Sequence, residues 1–335
     1  MILKMKNTLT SSTSRSRNQL TRRDFVAIAA AAGVGALCPF PVSGRSLVSD
    51  TSELEVHLFS KHLQFLNYDE MAEVTAEIGL DGLDLTVRPG GHVLPERVED
   101  DLPKAVDALH RYGLKTVMMT TSIGDASDPL NRRVLETAAK LGITYYRTGW
   151  YTHPEDRPIP ESLEEFKVRI AELEQLNREI GIKGGYQNHA GNFVGASIWE
   201  LWELLRGRDF EWMGCQYDIR HAYVEGGLSW PQGLRLIYPA IQTIIAKDVR
   251  WAVVDGKWQP ENVPIGEGMI NWMQYFGLLK KYQVSVPLSL HLEYPLGGAE
   301  HGASTINIPR AEVIAAIKQD METVKRLWRE SPRAS

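Results

Sequence analysis

The residues that could do chemistry fall in pairs and short clusters. Gln187 and His189 stand two apart in "YQNHAGN", residues 186–192. His291 and Glu293 stand two apart in "LHLEY", Asp218 and His221 three apart in "YDIRHA", and Lys247 and Asp248 adjoin in "AKDV". Upstream lie Ser60, Lys61 and His62, then Asp84, Arg88 and His92, then Thr120 and Thr121, then Arg147 and Trp150. Side chains two apart on a strand share a face. Gln187 with His189, and His291 with Glu293, can therefore point to one side. Asp218 and Glu293 would suit a divalent cation with oxygen-rich ligands. A carboxylate and a metal ion together polarise a carbonyl and stabilise an enediolate. Histidines and lysines nearby can move its protons. Trp150 and Trp230 are candidate walls for a sugar ring. Gln187 is the odd member, an amide where a base or a metal ligand would prefer a carboxylate.

These clusters need elements to position them. Short apolar runs recur from residue 55: "EVHLF" (55–59), "GLDLTV" (82–87), "KTVMMT" (115–120), "ITYYRT" (143–148), "IKGGYQ" (182–187), "GCQYD" (214–218), "IQTIIAK" (241–247) and "VPLSLHLE" (286–293). Each leads into a helix-like segment. Examples are 68–79, 129–142, 162–181 and 310–330. Gly79, Gly113, Gly142 and Gly181 stand where helices stop. Eight strand–helix units predict parallel strands, and eight are enough to close a (β/α)8 TIM barrel. An open dinucleotide-binding sheet would want a G-x-G-x-x-G turn after its first strand, and "SKHLQF" has none. In such a barrel the site forms at the C-terminal strand ends, where the clusters above fall. Five of the nine histidines lie there.

The first 44 residues read as an export signal. Six basic residues and Asp24 precede a 13-residue mild apolar run, 26–38. That is short of the ~20 residues a spanning helix needs, so no permanent membrane anchor is expected. "TRRDF" (21–25) resembles a twin-arginine signal, which implies the twin-arginine translocase as a transient partner and a periplasmic location. A single domain over 45–335 follows. The signal carries +5 in a chain of net −5, which leaves the remainder at −10. An acidic body argues against nucleic acid as a partner. Once Cys38 is removed only Cys215 remains, so no internal disulfide is expected.

"QNHAG", "QYDIRHA", "AKDV", "PIGEGMINW" (264–272) and "LHLEYPLGG" (290–298) together resemble the xylose isomerase-like barrels, a superfamily of sugar isomerases and epimerases. The resemblance covers residues 54–330. It implies a small carbohydrate substrate and one divalent cation, manganese, magnesium, cobalt or zinc. It also implies pairing of barrels in many members. Carried over, Asp218 and Glu293 match two metal ligands, and His221 matches a histidine that touches substrate. Gln187 stands where a ligand glutamate is expected, and Ile245 where a ligand histidine is expected. Gln187 and His291 are the candidates to complete the metal shell. Glu293 becomes the base, with His189, His221 or Lys61 as its acid partner. Arg88, His92, Arg147, Trp150, Lys247 and Asp248 are the expected substrate contacts.

Three functions follow from this reading. The first is an exported isomerase or epimerase of a non-phosphorylated keto- or aldo-sugar, acting through a metal-assisted enediolate. The second is a lyase or dehydratase of 3-keto-glycosides or inososes. The third is a barrel that keeps carbohydrate binding without catalysis, because Gln187 and Ile245 stand where the resemblance expects a ligand glutamate and a ligand histidine.

Overall fold

The computed structural model describes residues 53–334, and the expected export segment lies outside them. The chain runs β1 (Val56–Phe59), α1 (Tyr68–Ile78), β2 (Gly82–Thr86), α2 (Val98–Arg111), β3 (Lys115–Thr120), α3 (Pro129–Lys140), β4 (Tyr145–Arg147) and α4 (Ile159–Ile180). It continues β5 (Lys183–Gln187), α5 (Ile198–Leu205), β6 (Met213–Asp218), α6 (Ile219–Gly226), α7 (Trp230–Ile237) and β7 (Ile241–Ala246). Then come β8 (Asp248–Val254), β9 (Lys257–Val263), α8 (Trp272–Lys281), β10 (Leu288–Leu290) and α9 (Arg310–Glu330).

Eight of these strands close a parallel barrel in the order β1-β10-β7-β6-β5-β4-β3-β2. The strands are apolar because the helices bury one face and the barrel interior the other. Helix ends follow local chemistry. Asn67 and Glu70 form a reciprocal capping box at the start of α1. Gly79 and Gly181 end α1 and α4 with φ of 85° and 83°. A side chain there would meet the left-handed penalty that glycine avoids.

Two expectations change. No helix follows β7 directly. The chain first makes the antiparallel hairpin β8–β9, turning at Asp255 and Gly256, and α8 comes after it. The last barrel strand is also shorter than expected. The amide of His291 still donates to the Ala246 carbonyl at 3.0 Å, but Glu293 lies past the strand on a loop. Trp230 is no sugar wall. It opens α7 and packs edge-on to Tyr275 in the core, 5% exposed.

Candidate active site

The C-terminal strand ends surround a cavity of about 200 Å³. Phe59 and Lys61 come from the end of β1 and the turn after it, Arg88 from beyond β2, Thr120 from β3, and Arg147 and Trp150 from β4 and its loop. Gln187 and His189 follow from β5, Lys247 from β7, and His291 and Glu293 from beyond β10. A second cavity of about 150 Å³ lies toward the opposite strand ends, lined by Glu53, Glu55, Val284 and Trp328 among others. It holds no comparable set of convergent groups.

The centre of the site is an ammonium among carboxylates. Lys247 Nζ lies 3.1 Å from Asp218 Oδ2, 3.2 Å from Glu293 Oε2 and 2.9 Å from His221 Nε2. The other Glu293 oxygen pairs with Lys61 Nζ at 3.2 Å. Burial alone would raise the Glu293 carboxyl. Lys247, and with it Lys61, outweigh burial and hold it well below the usual carboxylate range. Glu293 is 24% exposed, so it is an ionised carboxylate that a ligand can reach. Burial raises the Asp218 carboxyl against the pull of Lys247. Asp218 also accepts from the His221 amide at the start of α6 and from Gln187 Nε2 at 2.8 Å. Three donors converge on it, so its work is to hold Lys247 and the strand ends.

Gln187 explains itself in this setting. Its Nε2 donates to Asp218 and its Oε1 accepts from the Arg147 guanidinium at 3.3 Å. A carboxylate there could serve the arginine but would repel Asp218. An amide serves both. Asn188 adds a lock that sequence reading missed, accepting from the Asp218 amide at 2.8 Å and donating to the Asp218 carbonyl at 2.9 Å. Its side chain pins the ends of β5 and β6 together.

The histidines divide into scaffold and site. His62 Nε2 accepts from the Leu292 amide, and His92 Nε2 faces the Leu63 carbonyl at 3.2 Å. His92 Nδ1 faces the hydroxyls of Ser60 and Thr86. Its ring fastens the β1 and β2 loops together and is absent from the cavity wall, which corrects its expected substrate role. At the cavity, His189 Nδ1 faces its neighbour's carbonyl at 3.0 Å, so Nδ1 carries the proton and Nε2 is the acceptor. Burial, then Lys247, push this ring down to about 4. His189 is therefore neutral at pH 7 and cannot be a general acid there. His221 is held well below its ordinary value by burial and then Lys247. It lies behind Lys247 and does not line the cavity.

His291 stacks on Phe59 at 4.3 Å and sits over Ser289, which donates to the buried Asp84. Ser289 can then only accept from His291 Nε2 at 3.1 Å. That fixes the ring as the Nε2–H tautomer and leaves Nδ1 buried without a partner, 3.7 Å from Glu293 Oε1. Burial pushes His291 down to about 3, against the pull of Glu293. Its Nδ1 is a ready acceptor for a ligand hydroxyl.

Asp248 is not a substrate contact. It is 1% exposed, and its carboxylate accepts from the amides of Val249, Gly266, Gly268 and Ile270 and from the Trp272 indole. The "PIGEG" loop folds around this one carboxylate. A Cβ at Gly268 would stand 2.0 Å from Asp248 Oδ1. The Lys-Asp pair therefore splits its work, lysine into the barrel and aspartate out to the loop.

The expected metal shell fits a divalent ion poorly. Asp218 and Glu293 already hold the Lys247 ammonium between them. Gln187 presents its amide nitrogen to Asp218. Ile245 supplies no donor. Among the described residues no group of three or more His, Cys, Asp or Glu side chains is arranged to hold a metal ion. In this structure the expected cage of Asp218, Glu293, Gln187 and His291 has a lysine charge in its middle.

Three solved structures share this architecture. An L-ribulose 3-epimerase is 12% identical, with a TM-score of 0.61 over 83% of this chain and 95% of that chain. A probable 3-DHS dehydratase from Bacillus anthracis is 15% identical, with a TM-score of 0.60 over 81% of this chain and 98% of that chain. A xylose isomerase-like TIM barrel protein from Mycobacterium smegmatis, in complex with magnesium, is 12% identical, with a TM-score of 0.60 over 86% of this chain and 100% of that chain. Likeness at these identities speaks for the fold. Comparison with curated protein sequences gave no match. Residues 72–323 match the model of the xylose isomerase-like TIM barrel family, and the chain belongs to that family.

Proposed function

We propose that this protein enolises a small sugar, as an isomerase or epimerase, with Glu293 as its base. The observation that carries the proposal is the double clamp on Glu293, Lys61 at 3.2 Å on one oxygen and Lys247 at 3.2 Å on the other. The clamp keeps the carboxylate ionised at the cavity. It also sets two ammonium groups beside the place where charge develops. Glu293 removes the proton from the carbon next to a carbonyl. The C–H electrons form the C=C bond, and the carbonyl π electrons move to oxygen. The resulting enediolate is stabilised by ammonium donors already in position. A proton passes from the neighbouring hydroxyl to the former carbonyl oxygen through Lys61, and Glu293 returns its proton to the former carbonyl carbon on the same face, which completes an aldose–ketose isomerisation with one base. Lys61 is the acid partner and His291 Nδ1 the acceptor that orients a sugar hydroxyl. His189, with Nε2 unprotonated, is a second acceptor.

Lys247 supplies the positive charge that the resemblance would assign to a divalent ion. An ion held by Asp218, Glu293, Gln187 and His291 is the second reading, favoured by the magnesium complex of the Mycobacterium smegmatis neighbour. It requires Lys247 to leave both Asp218 and Glu293. The lyase reading uses the same first step. The enediolate electrons then re-form the carbonyl, the C=C bond shifts to the next carbon, and the leaving group there departs with its bonding pair, protonated by Lys61. The dehydratase neighbour supports keeping it.

The test is proton exchange. The mature protein, treated with a chelator, is incubated with keto- and aldo-sugars in deuterated water. Deuterium next to the carbonyl in wild type, and at least ~100-fold less in Glu293→Gln, is expected for loss of an essential base. Loss of water or an aglycone alongside exchange identifies the lyase. Exchange that appears only after manganese or magnesium is restored would overturn the lysine reading in favour of the ion. Sugar binding with no exchange under any condition would leave the carbohydrate-binding barrel. Export through the twin-arginine translocase to the periplasm rests on "TRRDF". Arg22→Lys with Arg23→Lys should hold the protein, signal uncleaved, in the cytoplasmic fraction.

A further inference from the structure

Two arginines face the cavity with no carboxylate to pair with. Arg88 makes no ion pair among the described residues, and its one close partner is the Phe59 ring, 5.4 Å from the guanidinium carbon. Arg147 is 5% exposed. It gives one NH group to Gln187 and one to the Thr121 carbonyl, and it lies 4.0 Å over the Trp150 ring. Its Nε is buried without a partner. Buried polar groups are normally satisfied, and an orphan calls for an explanation. Burial, and then the charge of Arg88, push the Arg147 guanidinium down to about 9. It is therefore still a cation at neutral pH, and it repels Arg88 across the same cavity.

The local charge does not balance. Lys61, Arg88, Arg147 and Lys247 are four cations on the wall. Three carboxylates, Asp84, Asp218 and Glu293, answer them. Asp84 is taken up by Thr120 and Ser289, and Asp218 by Lys247 and Gln187. The histidines of the cavity add nothing, being neutral. A surplus of one positive charge thus sits in a pocket of a chain whose net charge is −5. Surplus charge of one sign in a cleft concentrates the opposite charge there.

We infer that Arg88 and Arg147 form an oxyanion subsite beside Glu293, and that the sugar this protein takes carries an anionic group, a carboxylate or a phosphate. The inference rests on the enolisation reading for what happens next to that group, but not for the binding itself. Planar guanidinium groups match a two-oxygen anion better than a neutral hydroxyl. The orphan Nε of Arg147 gains a role as a donor held in reserve. Trp150, under the Arg147 guanidinium, keeps it flat and aimed. Gln187 fixes the same guanidinium from the β5 side, so the amide in "YQNHAGN" tunes substrate charge as well as holding Asp218.

The experiment reads binding, not turnover. Titration of the mature wild-type protein with glucuronate, glucose 6-phosphate and glucose, followed by calorimetry and Trp fluorescence at low salt, should rank at least one anion ~10-fold or more above glucose, the discrimination one charge-assisted contact supplies. Preference for glucuronate identifies a carboxylate, and preference for the phosphate identifies a phosphate. Raising salt to ~0.5 M should shrink the gap by screening. Arg88→Gln, at a half-buried position, should bring the anion down to the affinity of glucose. Arg147→Lys keeps the charge and should weaken the anion less than Arg88→Gln does. Equal affinity for all three sugars in wild type, or full discrimination in folded Arg88→Gln, would overturn the subsite. The enolisation reading fails separately. Anion-selective binding without deuterium exchange sinks that reading alone, and exchange on neutral sugars with no anion preference sinks this one alone.

Discussion

Lys247 and Asp218 are paired at 3.1 Å, with side chains 2% and 0% exposed. A buried ion pair is expensive to make, because both charges leave water. Here the cost is offset by further partners, Glu293 and His221 for the lysine and Gln187 and the His221 amide for the aspartate. The pair holds an ammonium group at the barrel mouth that needs no loading.

Removing the lysine should therefore be costly. Lys247→Met keeps the volume and leaves two carboxylates facing each other. Breaking a buried pair from one side costs about 3 kcal/mol or more, and the exchange activity should vanish with the ammonium. Urea unfolding at pH 7 measures the first effect. A midpoint unchanged from wild type would mean that the ammonium holds nothing.

Asp248 should behave as a fold residue. Asp248→Ala strands four backbone amides and the Trp272 indole, and a charged acceptor with several donors is worth a few kcal/mol (~2–4). We expect a loss of that size in denaturation, with protease cleavage appearing first in the 264–271 loop. Cleavage that begins elsewhere, with this loop still protected, would contradict the anchoring role.

How much of this was legible in the sequence follows from the range of the interactions. The barrel strands were readable because their cause is local, an apolar run with a polar end. The β8–β9 hairpin was equally local and still overlooked. "VVDGKW" (253–258) carries an Asp-Gly turn between alternating residues, the usual mark of a tight hairpin, and Asp255 and Gly256 take positive φ of 51° and 74°. The roles at the site were harder. His92 and Asp248 have the chemistry of a ligand contact, but their partners lie in loops distant in sequence, Ser60 and Leu63 for one and residues 266–272 for the other. Lys247 was read as a substrate contact. The sign of its true position was the coincidence of an amide at 187, an apolar residue at 245 and a lysine two positions later.

Stability should depend on pH through the scaffold histidines. Burial pushes His92 down from 6.5 to about 4. The unfolded chain therefore binds the proton more readily than the native one. The stability this ring contributes is complete above pH 6.5 and is lost as pH falls toward 4. After allowance for its partial exposure, the loss is about 2 kcal/mol. Asp320 works the other way, because burial raises its carboxyl to about 7, so the comparison must be made within one background. The drop in urea midpoint between pH 7 and pH 4.5 should be smaller in His92→Gln than in wild type. An identical drop in both would remove His92 as a source.

The metal shell that the resemblance implies can be tested by building it. Ile245 pairs in register with Asp218 on one side and Ser289 on the other, so a histidine there would stand beside the existing aspartate. Gln187→Glu alone should not create a metal site. It sets a new carboxylate against Asp218 while the ammonium stays in place, and like charges so close push one carboxyl pKa up. That variant should lose stability as pH rises, since its native state then holds a proton the unfolded chain gives up. Lys247→Ala combined with Gln187→Glu and Ile245→His removes the resident charge and supplies three carboxylates and an imidazole, a donor set suited to manganese or zinc. Calorimetric titration with manganese should show stoichiometric binding in the triple variant and none in wild type or in Gln187→Glu. Equal manganese binding by wild type would mean that Lys247 yields its place to the ion, and the charge at this barrel mouth would then belong to a metal.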